Sequence, residues 1–435
     1  MEAVSVFWFR RDLRLEDNAG LWKALKSGHP VLPIFIFDRH ILDRLQDKSD
    51  ARVSFLHQTI LRLQKELEAL GSSLRVFYST PEEVMVELSQ EYDVRGLYLN
   101  RDYEPYARER DAAVAQFWSE RGVDVIGAKD HVIFEKNEVV KADGTAYLVY
   151  SPYAKAWRKK LTTYHGKAYP NHAYSDQFIT APAFAIPSLS DMGFEPTKVA
   201  LPSEKVREDI IKTYDTTRNF PANEQSTTRL GLHLRFGTLS IRALLRRALT
   251  LNETFVSELI WRDFFQMALF YFPESRSKTI KPKYDRIPWE FDQNQFDAWC
   301  NGTTGYPIVD AGMRELNATG YMHNRVRMIV ASFLTKHLLM DWRLGEAYFA
   351  EKLLDFDLAS NIGGWQWASG SGLDAAPYFR VFNPTSQMEK FDKDRSYIRK
   401  WVPEWGTSSY PEPIVEHKWA RERCLATYKE ALSNA

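Results

Sequence analysis

Val4-Ser5-Val6-Phe7-Trp8-Phe9 is an unbroken apolar run of β-branched and aromatic residues, and Arg10-Arg11-Asp12-Leu13-Arg14 follows it directly. A strand with no polar alternation reads as buried on both faces, as at the centre of a parallel sheet. Outward from it, Val31–Phe37, Leu74–Ser79, Leu97–Asn100 and Val123–Ala128 repeat the pattern. Helical patterns separate them at Asn18–Ser27, Ala51–Leu70, Pro81–Tyr92 and Pro105–Arg121. In the second of these, Phe55, Ile60, Leu63, Leu67 and Leu70 fall on roughly one helix face. Strands alternating with helices predict right-handed βαβ units and a doubly wound parallel sheet, whose ligands bind beyond the carboxyl ends of the strands. The Gly-x-Gly-x-x-Gly fingerprint of dinucleotide folds is absent after the first strand.

Beyond Asp130 the pattern loosens. Asp143-Gly144 reads as a hairpin turn between Val139-Val140 and Tyr147–Val149, and Pro170, Pro182, Pro187, Pro196 and Pro202 punctuate a long connection. From Glu204 the periodicity is helical. The expected organisation is an α/β domain at 1–130, an interdomain connection at 131–203 and an all-α domain at 204–435. The whole chain has 435 residues, 57 Lys+Arg against 57 Asp+Glu, and 44% hydrophobic residues, so a sizeable core is available and any basic surface must be local. No apolar run nears the roughly 20 residues that span a bilayer. The N-terminus lacks a secretory pattern and only Cys300 and Cys424 are present, so a reducing, cytoplasmic location is expected. Of 13 tryptophans, those from Trp261 onward outnumber the rest, which concentrates aromatic chemistry in the helical half.

Four segments of that half carry candidate chemistry. Thr227-Thr228-Arg229-Leu230-Gly231, with Arg235–Ser240 after it, has the hydroxyls, Gly and Arg of a phosphate cradle before a helix, and equally of a capped helix start. In Glu258-Leu259-Ile260-Trp261-Arg262-Asp263-Phe264-Phe265, a carboxylate and an aromatic plate share a helix face, which suits a ring that is hydrogen-bonded and stacked. Gly305–Met313 leads to Met322-His323-Asn324-Arg325-Val326-Arg327-Met328, where Asn324 can bond a base or flavin edge and the arginines can clamp phosphate. His323 is read as a structural histidine. Asp355-Phe356-Asp357-Leu358-Ala359-Ser360-Asn361-Ile362-Gly363-Gly364-Trp365-Gln366-Trp367 joins two carboxylates, an Asn, paired glycines and alternating tryptophans. The glycines let the backbone approach a flat ligand. With no His or further carboxylate beside Asp355 and Asp357, no metal site is expected.

Phe9–Asn18 resembles the opening signature of the photolyase/cryptochrome family, and Trp261–Phe264, Gly305–Met313, Met322–Met328 and Asp355–Trp367 resemble its flavin and lesion segments in order. The resemblance covers essentially the whole chain. Met-His-Asn-Arg-Val-Arg-Met and Gly-Gly-Trp-Gln-Trp are similar to microbial class I cyclobutane pyrimidine dimer photolyases, and the paired histidines of a (6-4) photolyase are missing. The resemblance implies a carbon-carbon lyase, a deoxyribodipyrimidine photo-lyase activity that holds FAD in the helical domain and injects an electron into damaged DNA under light. It implies that Tyr214 and Thr227–Gly231 hold the FAD phosphates. It places Asp355, Asp357 and Arg327 at the flavin's ribityl or ring portion, with Arg262 and Phe265 in the same site, and Asn361 at N5. Trp261 and Trp367 become the walls of the lesion pocket, Glu258 its hydrogen-bonding and proton-donating group, Asn324 and Met328 its lining, and Arg325 and Arg380 its phosphate contacts. Trp365, Trp342 and Trp289 match the family's tryptophan chain, which reduces oxidised FAD.

Two departures stand out. Gly231-Leu232-His233 replaces the Ser-Pro-Tyr or Ser-Pro-His usual in the phosphate loop, so backbone N–H groups are expected to take over there. Ser275-Arg276 stands where a folate-binding relative would carry a lysine contact, which disfavours a methenyl-folate antenna; a deazaflavin or a second flavin in a cleft near Asn100–Tyr106, or no antenna, are the alternatives. The expected function is thus repair of pyrimidine dimers by a cytosolic monomer. The alternative is a non-repairing cryptochrome photoreceptor, whose usual long C-terminal extension is not in this sequence. An electron-transfer flavoprotein without DNA would leave Arg325 and Arg380 unexplained.

Overall fold

The computed structural model describes residues 1–433. Residues 1–135, 161–205 and 230–247 form one compact unit, and residues 136–160, 206–229 and 248 onward form a second. The segment 131–203 is therefore shared out between two bodies, because its central stretch folds into a helix, Tyr150–Lys160, that packs in the second unit.

In the first unit β1 (Glu2–Phe9), β2 (Val31–Asp38), β3 (Arg75–Ser79), β4 (Tyr92–Asn100) and β5 (Val125–Ala128) form a parallel sheet in the order β3-β2-β1-β4-β5. β2 is buried along its whole length, as is β1 from Val4 on, which explains their lack of alternation. Helices Ala19–Leu25, Ala51–Glu68, Pro81–Glu91 and Pro105–Ser119 connect the strands. The helix at 81–91 starts at a capping box, Thr80 with Glu83, with Pro81 in its first turn. The strand order reverses at β1, whose neighbours β2 and β4 run outward in opposite directions, so the carboxyl ends of β1 and β4 flank a crevice.

That crevice is filled by the motif directly after β1. Asn100 donates to Asp12 Oδ2 (2.5 Å) and Asn18 Oδ1 (2.8 Å). Arg242 reaches Asp17 Oδ1 (2.9 Å) and Asp130 Oδ1 (2.7 Å), and Arg14 takes the other Asp130 oxygen (2.6 Å). Burial alone would raise the Asp130 pKa, but the two guanidinium groups hold it well below the usual carboxylate range. The space left among Arg10, Arg11, Asp12, Asn100, Arg101, Asp102, Asp130 and His131 is about 10 Å³, room for one water.

The expected hairpin at 139–149 is not formed. Asp143 accepts from Thr145 N–H (2.9 Å) and Oγ (2.7 Å), closing a tight turn on itself, and the chain beyond enters the Tyr150–Lys160 helix instead of a strand.

The second unit is helical. Its core joins Ile308, Val309, Met313, Val326, Val330, Leu334, Trp342, Phe349 and Trp365. Four of its helices carry most of the candidate site residues: α1 (Glu253–Tyr271), α2 (Asn324–Ser332), α3 (Trp342–Lys352) and α4 (Leu358–Ser369). Asn252, His323, Asp341 and Asp357 cap them, each accepting from backbone N–H groups of the first turn. No helix among the described residues is long and apolar enough to cross a membrane.

Candidate functional site

Within the second unit α1, α2 and α4 surround a cavity of about 430 Å³, the size of a small-molecule site. Each presents one stripe spaced i, i+3, i+4, i+7: Glu258, Trp261, Arg262 and Phe265; Asn324, Arg327, Met328 and Ala331; Asp357, Ser360, Asn361 and Gly364, with Trp365 one step on. These stripes are polar and aromatic where a core stripe would be apolar, so the helices cannot close on one another without burying unpaired groups.

The paired glycines divide their work. A Cβ on Gly363 would stand 2.2 Å from the Phe265 ring, so this glycine lets α4 pack against α1. Gly364 lines the cavity, and a Cβ there would meet nothing within 4 Å. Any side chain at 364 would therefore occupy the cavity itself.

Charge is distributed unevenly around the walls. Arg327 Nη2 donates to both oxygens of Asp355 (3.0 Å each), and its Nε donates to Met322 O (2.7 Å). Asp357 caps α4 and accepts from Gln266 Nε2 at 3.1 Å. Asn361 donates to Glu346 Oε1 (2.8 Å), and burial raises the Glu346 pKa. Glu258 forms an ion pair with Arg218; burial raises its pKa and Arg218 opposes the rise. Tyr150 stacks on Trp261 with ring centroids 3.7 Å apart and planes within 2°, and donates its O–H to Ser257 O (2.9 Å). His323 holds no place in the cavity wall: its Nδ1 accepts from Arg325 N–H at 3.1 Å, and burial, then Arg327 and Arg325, pull its pKa down to about 3, which keeps it a neutral cap.

Of the residues singled out in the sequence, Glu258, Trp261, Arg262, Phe265, Asn324, Arg327, Met328, Asp355, Asp357, Asn361, Trp365 and Trp367 come together around this cavity. Arg325 does not line it; its guanidinium bonds Asn219 Oδ1 (2.7 Å) and lies over Phe391 (4.4 Å). Arg380 is exposed. Tyr214 packs edge-on to Phe255, Thr227 bonds the Tyr321 hydroxyl (2.8 Å), and Arg229 lies over the Tyr321 ring (4.4 Å). Leu230 and Gly231 belong to the first unit. Trp342 is fully buried one turn before Gly345, where a Cβ would lie 2.0 Å from the Trp365 ring, and Trp289 packs edge-on to Tyr428 (6.0 Å). Sequence reading missed Arg218, Ser360 and Tyr150. Continuing the α4 stripe by helical spacing would have found Ser360; nothing local signals Arg218 or Tyr150, which arrive from distant segments.

Residues 5–173 match the DNA photolyase family, and residues 255–408 match the FAD binding domain of DNA photolyase. The chain is 36% identical to a deoxyribodipyrimidine photo-lyase of Synechococcus sp., across 99% of this chain and 97% of that one. Among solved structures it is similar to a bacterial class III photolyase from Agrobacterium tumefaciens (TM-score 0.87, 35% identity, 99% of this chain and 98% of that one). It is also similar to an archaeal photolyase from Sulfolobus tokodaii described with two FAD molecules (TM-score 0.82, 34% identity, 99% and 100%).

Proposed function

This chain belongs to the DNA photolyase family, and on that premise we propose that it splits cyclobutane pyrimidine dimers in DNA under light, with FAD in the cavity between α1, α2 and α4. The observation that carries the reading is Gly364: a glycine with empty space before it, in a wall of hydrogen-bonding and aromatic groups, fits a flat ligand that a side chain would displace. Bound FAD in its reduced form supplies electron donation on illumination.

The protein's own residues bind, orient and protonate. Arg327, Asp355, Asp357, Asn361, Arg262 and Phe265 hold the cofactor, and Thr227, Thr228, Arg229 and Tyr214 serve its phosphates. Trp261 and Trp367 stack on the flipped-out dimer, which is poorly stacked in DNA and therefore cheap to extrude. Tyr150 stacks flat on Trp261 and holds its plane toward the lesion. Asn324 and Met328 line the lesion side. Glu258 holds a proton for a pyrimidine carbonyl, a role its raised pKa favours. Arg325 and Arg380 take backbone phosphates, a sequence-independent and salt-sensitive contribution. Trp365, Trp342 and Trp289 pass electrons inward to reduce the cofactor, an activity separate from repair. A second flavin is the antenna best supported, because the Sulfolobus tokodaii structure is described with two FAD molecules, but the crevice at Asn100–Asp102, with about 10 Å³, does not offer it the expected place. The protein acts as a monomer on cytoplasmic DNA.

The test is repair of a thymine-dimer oligonucleotide by chemically reduced protein, with a dark control and a (6-4) substrate. Dimer loss confined to the light, with the (6-4) lesion untouched, is expected. Absence of repair by protein that holds FAD would turn the reading to a cryptochrome.

A further inference from the structure

We propose that Arg218 gates the lesion pocket: in the free protein it holds Glu258 in an ion pair, and on lesion binding it leaves Glu258 for a phosphate of the DNA backbone. The proposal rests on the reading of this cavity as the lesion pocket. Arg218 and Glu258 both line it, and each side chain stays 33% exposed, so neither is sealed from an entering ligand. Arg218 follows a helix of a single turn, Tyr214–Thr217, and the next residue, Asn219, accepts from Arg325. Two guanidinium groups are thus held near one another, and only Arg218 is paired with a carboxylate, Glu258. Arg325 Nε is buried without a partner, and burial, then the neighbouring charge of Arg218, lowers the Arg325 pKa. Two neighbouring arginines with a single carboxylate partner carry surplus positive charge, which suits an anion able to accept from guanidinium groups, as a phosphodiester does.

The exchange has a chemical consequence. Arg218 is the cation that opposes the effect of burial on Glu258. The other titratable groups facing Glu258 are Tyr214 and Tyr150, whose hydroxyls burial pushes up, Tyr150 to about 12, so neither replaces that positive charge nor titrates near neutrality. Arg262, one turn along α1, stays in the cavity wall. When Arg218 leaves, the Glu258 carboxylate takes one proton from solvent and becomes a carboxyl, and no bond of the DNA changes in that step. The O–H so formed is the donor that a pyrimidine carbonyl requires. The complex then has the higher Glu258 pKa, so lesion affinity is greatest below the value in the free protein. It falls by up to tenfold per pH unit between the two values.

The experiment is calorimetric binding of FAD-loaded protein to a thymine-dimer oligonucleotide in the dark, in buffers of different ionisation enthalpy, between about pH 5 and 9. Wild-type protein is expected to take up close to one proton per bound dimer at its maximum. Arg218→Gln is expected to diminish the uptake, because the opposing cation is then absent from Glu258 in the free protein as well as in the complex, and to lower the salt dependence of binding by about one phosphate contact. Glu258→Gln abolishes the uptake but keeps that salt dependence, and Arg218→Lys restores both. Binding without uptake in wild type, or undiminished uptake in Arg218→Gln, overturns the exchange and leaves the lesion-pocket reading standing. Absence of any preference for the dimer over the undamaged oligonucleotide overturns that reading and the exchange with it.

Discussion

The crevice at the carboxyl ends of β1 and β4 and the cavity among α1, α2 and α4 are built from the same residue types, Arg, Asp and Asn, yet one closes on itself and the other encloses a ligand-sized space. In the first, Asp12, Asn18, Asn100, Arg14, Asp130 and Arg242 bond to one another and leave about 10 Å³. In the second, Arg327 with Asp355 and Asn361 with Glu346 pair along the walls, and about 430 Å³ remains. A buried polar network that closes on itself specifies a fold, whereas one arranged around a void specifies a ligand. The crevice geometry that usually marks a ligand site in an α/β sheet is here used for structure.

The largest expected effect separates the two regions by stability. Arg242→Ala leaves Asp17 and Asp130, 7% and 0% exposed, with too little positive charge between them. Breaking such a buried pair costs about 3–5 kcal/mol, which chemical denaturation will read. The same network predicts the acid response. Asp130 has its folded pKa depressed, so its stabilisation is complete above the ordinary carboxylate value near 4 and is lost as pH falls below it. Acid unfolding that is weakened in Arg242→Ala would support the network; insensitivity of the wild type to pH between about 4 and 2 would contradict it.

Gly364→Leu should do the reverse: FAD lost on purification, with denaturation midpoints unchanged, since the new side chain enters a void and not a contact. Gly363→Leu, whose new side chain would run into the Phe265 ring, should instead destabilise the fold. Flavin absorbance against denaturation separates them, and a Gly364→Leu protein that retains FAD would remove the argument for where the cofactor lies. Smaller in scope, Trp365→Phe should block photoreduction of oxidised protein and spare repair by chemically reduced protein; loss of both would merge two activities assigned to different residues.

How much of this was legible in the chain differs between the regions. The runs Val4–Phe9 and Val31–Phe37 could be read as central parallel strands because burial on both faces removes alternation. The Arg10–Asn18 motif could be seen but not understood, since its partners Asp130 and Arg242 lie more than a hundred residues away. In the helical unit, contiguous strings exposed most of the cavity wall. They could not show that Gly363 and Gly364 face different neighbours, nor bring Arg218 to Glu258 or Tyr150 to Trp261, because those meetings are made by packing between distant helices.

Tyr150 offers the smallest and finest test of the comparison, because its ring belongs to packing and its partner Trp261 to the cavity. If the stack serves the fold, Tyr150→Phe and Tyr150→Ala should differ in stability and leave lesion affinity alone. If it serves the site, Tyr150→Phe should bind the dimer oligonucleotide as wild type does, since it keeps the stack and loses only the bond to Ser257 O. Tyr150→Ala frees Trp261 to rotate, and an aromatic pair worth about 0.5–1.5 kcal/mol then appears as a two- to tenfold rise in Kd, on the order expected for that energy. The second outcome is expected, because Trp261 lines the cavity and Tyr150 stacks flat on its ring, whereas Phe264 and Phe265 of α1 meet it edge-on and tilted. Fluorescence titration of the two variants against one oligonucleotide decides between packing and site.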